Sequence, residues 1–246
     1  MGMNGRTKTR TRTRTTRTLE PVWEPVASAR LRDARQTGLS RRTIVGVDCD
    51  GVLASDRLLW QRMRECFPEH IPARYAELAT FEWPRVTPET TALCLELSAD
   101  PAFMERLAPV RGALEALGML HRLGYAVHIV TARPECVRGA TWRWLHRHGA
   151  AGSVEAIHCV TDGAAKPAVA HALGCEVFVE DNHATAEALG AAGLRSYLLA
   201  APYNRRPTEH SIRLAGWPSV LDDLTASVPA RLEMPALGDT EIELPA

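Results

Sequence analysis

Two aspartates one residue apart, Asp48 and Asp50, close the apolar run of "TIVGVDCDGVL", with Gly51 directly behind them. Residues two apart in a strand face the same side, and Gly51 lets the backbone turn where the run ends, so both carboxylates can converge on one point. Like charges held that close repel each other unless a cation or a shared proton compensates. Polar groups close other segments too. "HIVTAR" ends in Thr131, Ala132 and Arg133, "VFVEDN" ends in Glu180, Asp181 and Asn182, and Lys166 stands directly before Pro167. The helix macrodipole disfavours a lysine at a helix start, so Lys166 needs a reason, and a bound anion supplies one. Singly, these short strings mean little. In this order, each at the end of its own strand–helix unit, they are together a strong signal.

The elements that must position them follow from periodicity. After residue 109 the chain alternates helix and strand. Val110, Leu114, Leu117 and Leu120 recur at helical spacing before a Gly124 stop, and "YAVHIVTA" reads as a strand. Pro134 opens a helix through "CVRGATWRWLHRH". "VEAIHCVT" is a strand, "KPAVAHALG" a helix, "CEVFVE" a strand, "HATAEALGAAG" a helix and "RSYLLA" the last strand. This rhythm predicts an α/β fold, a Rossmann-like parallel sheet covered on both faces, whose ligands gather at the carboxyl ends of the strands. "TIVGVD" joins the same sheet.

Residues 55–108 differ. Leu59, Met63, Cys66 and Phe67 form a helical stripe, while Thr87-Pro88 and Asp100-Pro101 each read as an N-cap followed by proline at the first helical position. The segment is too small for a typical domain, and reads as a helical cap inserted into a core of residues 43–54 and 109–228. It carries Arg57, Trp60, Phe81, Trp83 and Arg85. Aromatic rings stack nucleobases and arginines grip phosphate or base edges, so these residues fit a nucleotide; the other reading makes Trp60 and Phe81 the cap's own small core.

At 246 residues, 46% hydrophobic and 24% charged, the composition is that of an ordinary globular protein. A formal net charge of zero conceals an asymmetry between "RTKTRTRTRTTRT" near the start and "LGDTEIELPA" at the end. Residues 1–42 read as a disordered basic extension with a short helix near "SARLRDARQ", and residues 229–246 as a loose acidic tail. The basic extension could serve an acidic partner such as nucleic acid, or be simply solvated. No apolar run spans a bilayer, and the start lacks the apolar stretch of a secretory signal. Six cysteines without CxxC spacing point to reduced thiols in a cytoplasm. Cys49, between the two aspartates, faces the opposite side and reads as core. His183 reads as a helix-start surface residue.

In "DCDGVL", "TAR", Lys166 and "EDN" the chain resembles the haloacid dehalogenase superfamily of phosphohydrolases, over roughly residues 43–225. "VDCDGVLAS", "VFVEDN" and "PYNRR" bring it nearest to that superfamily's 5′(3′)-deoxyribonucleotidases and related bacterial nucleotidases. The resemblance implies a helical cap of the C1 type and a Mg²⁺-dependent phosphomonoesterase acting on nucleoside monophosphates. Asp48 would be the nucleophile that becomes an aspartyl-phosphate, and Asp50 the general acid and base. Asp48, the Asp50 carbonyl and Asp181 would bind Mg²⁺; Thr131, Ala132 and Lys166 would hold the phosphoryl oxygens. Glu180 would orient Lys166 or a metal-bound water. The same chemistry on a sugar phosphate or another phosphorylated metabolite is the alternative. A receiver-like phospho-accepting module also uses an acidic pocket and a lysine, but needs its face open, which a cap opposes. The resemblance implies a small-molecule phosphomonoester as partner and no membrane; the oligomeric state stays open.

Overall fold

The computed structural model describes residues 42–226. The expected basic extension, save its last residue, and the acidic tail lie outside them. Arg42, placed in that extension by sequence, is instead fastened to the sheet, donating to the Gly124 and Tyr125 carbonyls and pairing with Glu155 at 2.9 Å.

Six strands form one parallel sheet: β1 (Ile44–Val47), β2 (Ala126–Thr131), β3 (Ala156–Cys159), β4 (Cys175–Glu180), β5 (Arg195–Leu199) and β6 (Ile212–Leu214), in the spatial order β3-β2-β1-β4-β5-β6. The fold class is the expected α/β, Rossmann-like one. β1 is central, so Val45 and Val47 are fully buried by the helices covering their face. Those helices are α4 (Ala113–Arg122), α5 (Arg138–Arg147) and α8 (Trp217–Ala226), which bring Leu117, Leu120, Trp144 and Trp217 onto Val127, Ile129 and Val179. Residues of opposite parity face the other side. There Val130 and Phe178 meet Ala170 and Leu189 of α6 (Lys166–Leu173) and α7 (His183–Ala191). Gly46 is needed for that contact, because a Cβ there would stand 2.4 Å from the Phe178 ring.

"RSYLLA" is not the last strand. β6 follows it, three half-buried or exposed residues that are too few to leave a pattern in the sequence. Pro134 does not open α5 directly either; it stays extended, and a short 3₁₀ turn, Glu135–Val137, precedes the helix.

Between β1 and α4 the chain is helical: α1 (Arg57–Cys66), a 3₁₀ turn at Tyr75–Glu77, α2 (Pro88–Ala99) and α3 (Pro101–Met104). Thr87 caps α2 by accepting from the Thr90 amide, and Asp100 caps α3 through the Ala102 amide, with proline behind each cap as the sequence predicts. The insertion has its own core of Met63, Ile71, Leu78, Trp83 and Cys94. Tyr203, from the loop after β5, packs into it. Two indole N–H groups fasten the main chain around the junction: Trp217 donates to the Val52 carbonyl at 2.8 Å and Trp144 to Leu107 at 2.7 Å. Among the described residues no helix is long and apolar enough to cross a membrane.

Candidate active site

The carboxyl ends of β1, β2 and β4 meet at the floor of a cavity of about 630 Å³, with the helical insertion as its opposite wall. Asp48 follows β1 directly, its amide donating to the Val179 carbonyl at 2.9 Å, so the ladder itself aims the side chain. Glu180 ends β4 and Asp181 follows it. One oxygen from each of Asp48, Glu180 and Asp181 lies within 4.8 Å of the others, and all three residues are buried.

Lys166, 3% exposed, lies against this cluster, its Nζ 2.8 Å from Asp48 Oδ1 and 2.7 Å from Glu180 Oε2. The two carboxylates supply the compensation that a lysine at a helix start requires. Burial works against the ammonium, but Asp48 and then Glu180 more than offset it and hold the amine above its ordinary range. Burial, reinforced by Glu180, pushes the Asp48 carboxyl up to about 7 although Lys166 pulls the other way. Asp181 is raised as well, by burial and then by Glu180 and Asp48.

Asp181 is held from the side that sequence reasoning overlooked. Tyr203 donates its hydroxyl to Asp181 Oδ2 at 2.6 Å, and Asn204 donates to the Asp181 carbonyl at 2.6 Å. The other oxygen, Oδ1, is buried without a hydrogen-bond partner in the protein. An orphaned carboxylate oxygen is costly unless something binds it. Three carboxylates facing one ammonium, with one oxygen unclaimed, fit a hard divalent cation. Gly51 (φ +75°) leaves room for the arrangement; a Cβ there would stand 2.0 Å from Asp181 Oδ2.

Asp50 does not join the cluster, although alternation would put it beside Asp48. The turn at Gly51 carries it onto Arg133, whose Nε and Nη2 meet the two carboxylate oxygens at 2.9 and 2.6 Å. Both Asp50 and Arg133 border the same cavity. Thr131, buried at the end of β2, accepts from the Arg133 amide at 3.3 Å, and Ala132 borders the cavity between them. Cys49 is fully buried in the core, and burial pushes its thiol up to about 12, which leaves it inert. His183 contacts the Pro207 carbonyl at 2.8 Å and stands outside the cluster.

Of the five insertion residues singled out by type, Phe81, Trp83 and Arg85 border the cavity. Arg57 and Trp60 do not. On α1 the cavity face belongs to Leu59, with Asp56 just before the helix, three residues apart; the positions one further on turn away by about 100°. Arg57 and Trp60 pack on Tyr75 instead, the guanidinium 4.4 Å above its ring and the indole edge-on at 5.9 Å.

Asp56 is another residue that sequence reasoning passed over. It occupies the N-cap position of α1 but makes no side-chain capping bond. Its carboxylate accepts from the Tyr75 hydroxyl, and burial raises it to about 6. A carboxyl whose folded value exceeds its ordinary 3.8 disfavours folding once ionised. The cost grows as pH rises from about 4 to 6 and is constant above. Asp56→Asn is therefore expected to stabilise the protein by on the order of 2 kcal/mol at pH 7.5 and by little at pH 4, read by urea unfolding at both.

Solved structures carry the same fold at low identity. L-2-haloacid dehalogenase from Xanthobacter autotrophicus, with chloropropionic acid covalently bound, aligns at TM-score 0.52 and 15% identity, covering 76% of this chain and 100% of its own. CbbY from Rhodobacter sphaeroides in complex with phosphate aligns at 0.52 and 18%, covering 73% and 96%. A HAD family hydrolase from Deinococcus radiodurans with bound phosphate and sodium aligns at 0.52 and 18%, covering 75% and 96%. No curated protein sequence matches the chain. Sheet order, acidic cluster and buried lysine agree with the fold and site expected of a haloacid dehalogenase phosphohydrolase, and the membership itself is shown by a family model. A family model described as 5′ nucleotidase, deoxy (Pyrimidine), cytosolic type C protein matches residues 42–232, and the chain belongs to that family. It is thus a hydrolase of phosphoric monoesters.

Proposed function

We propose that this enzyme is a Mg²⁺-dependent 5′-nucleotidase that cleaves (deoxy)nucleoside monophosphates through an aspartyl-phosphate on Asp48, with residues 55–108 acting as its cap. The observation that carries the chemistry is the cluster of Asp48, Glu180 and Asp181 with Lys166 against it and Asp181 Oδ1 unpartnered. Asp48, Asp181 and the Asp50 carbonyl would hold Mg²⁺. Bound there, the ion offsets carboxylate repulsion and draws negative charge from the phosphoryl group.

Lys166 holds Asp48 Oδ1, which would leave the other oxygen as the attacking atom. A bond forms between that oxygen and phosphorus as the bond to the nucleoside oxygen breaks. Asp50 gives a proton to the departing oxygen, then removes one from the water that hydrolyses the aspartyl-phosphate. Thr131, the Ala132 amide and Lys166 offer donors to the phosphoryl oxygens as charge develops on them. Glu180 fixes Lys166, and is itself fixed by the amides of Asp181 and Asn182.

Substrate choice rests on the wall around Phe81, whose ring is 37% exposed and borders the cavity, with Arg85 also on it. The test is phosphate release from a panel of mononucleotides and sugar phosphates, with and without EDTA. Nucleotides turned over fastest, and only with the metal present, support the proposal; sugar phosphates ahead of every nucleotide would remove the substrate assignment and leave the chemistry. Phe81→Ala is expected to lower kcat/KM roughly tenfold for the best nucleotide and to change little for ribose 5-phosphate, because a lost base stack costs about 1–3 kcal/mol.

A further inference from the structure

Arg133 is a guanidinium with 1% of its side chain exposed, and its interactions run inward. Nε and Nη2 form two parallel bonds to the Asp50 oxygens, and Nη1 donates to Thr141 Oγ1 at 2.9 Å. Thr141 donates in turn to the Val137 carbonyl at 3.1 Å, so the guanidinium is anchored to the first turn of α5. Asp50 keeps 41% of its side chain exposed, and both residues border the cavity. Burying a guanidinium carries a desolvation cost that a packing role alone would not require, since an apolar side chain could fill such a space. What the fork provides is direction: a planar, bidentate partner holds a carboxylate in one orientation.

Resting on the phosphatase reading above, we infer that Arg133 is a positioning residue that aims the Asp50 carboxyl at the leaving oxygen, with Thr141 locking the guanidinium. Arg133 follows Thr131, the last residue of β2, and Ala132, so the end of one strand sets the phosphoryl donors and the proton donor together. Arg133 acts on the substrate only through Asp50. In the step it serves, the bond from Asp48 oxygen to phosphorus forms and the phosphorus–oxygen bond to the leaving group breaks; Asp50, having taken a proton from water on one oxygen while the guanidinium keeps the other, passes that proton to the leaving oxygen. The consequence of misplacing Asp50 is specific. A poor leaving group such as a nucleoside alkoxide needs the proton; 2,4-dinitrophenolate, already stable as an anion, does not.

The experiment compares kcat/KM for a nucleoside monophosphate and for 2,4-dinitrophenyl phosphate in the wild type, Arg133→Lys and Thr141→Val, each checked for folding by thermal melting. General-acid catalysis contributes about 10²–10⁴-fold, so Arg133→Lys is expected to lose ~10²-fold on the nucleotide and only a few-fold on the activated ester. Thr141→Val should shift the same ratio less, about fivefold, and it carries the comparison alone if Arg133→Lys does not fold. Equal losses on both esters, or an unchanged nucleotide rate, would overturn the assignment. A wild type that hydrolyses neither ester would instead overturn the phosphatase reading itself.

Discussion

Asp48→Asn is expected to lower kcat for the best nucleotide by roughly four to six orders of magnitude, the scale seen when a covalent nucleophile is removed. The substitution is nearly isosteric, and the amide oxygen can still accept from Lys166 Nζ, which stands 2.8 Å from the present Oδ1. What it removes is the anionic oxygen that would bond to phosphorus. Acid quenching of the wild type with labelled substrate should trap phosphate on the protein, and the variant should trap none. The melting temperature separates chemistry from folding. Burial has raised the Asp48 carboxyl to about 7, so its ionised form costs stability as pH rises from about 4 toward 7. Asp48→Asn in EDTA at pH 8 is therefore expected to melt no lower than the wild type. A variant that retains more than about a hundredth of the activity would remove Asp48 from the nucleophile's place.

The strand-end residues were legible because each is announced by its own unit. Asp48, Thr131 and Asp181 follow apolar β-branched runs, and a parallel sheet gathers the carboxyl ends of such runs at one edge. Caps were equally local: Thr87-Pro88 and Asp100-Pro101 needed only two residues each to be read. Contacts between distant positions were not legible. Arg133 stands in the motif that located Thr131, yet its partner Asp50 is 83 residues away, and no periodicity links them. Tyr203 and Asn204 lie in "PYNRR", which helped to suggest the family, but their hold on Asp181 depends on a loop returning over the strand ends. Arg57 and Trp60 show the converse, since neither borders the cavity. Their types suited a nucleotide, but helical phase decided which residues of α1 met the cavity, and it chose Leu59.

The carboxylate cluster also sets the second large effect, on metal and stability together. Asp48, Glu180 and Asp181 face Lys166 as three acids against one ammonium, and Asp181 Oδ1 has no donor. A cation that binds this arrangement in the folded state raises its stability by mass action, by about 2.7 kcal/mol at a hundred times Kd. For a domain of this size that amounts to a rise in Tm of roughly 5–10 °C. Mg²⁺ is expected to produce such a rise in the wild type, measured by differential scanning fluorimetry against EDTA. Asp181→Asn should abolish most of the rise without lowering the melting temperature in EDTA, since burial already disfavours its charge. Lys166→Met should do the reverse. Breaking a buried pair leaves uncompensated carboxylates at a cost of about 3–5 kcal/mol, so the variant melts well below the wild type in EDTA. The same excess of negative charge should make its gain from Mg²⁺ larger than the wild type's. If Mg²⁺ fails to move the wild type, or moves Asp181→Asn equally, the carboxylates are not the metal's ligands. The opposite responses expected of the two variants follow from charge alone: one removes a carboxylate that the cation needs, the other a positive charge that the cation can partly replace.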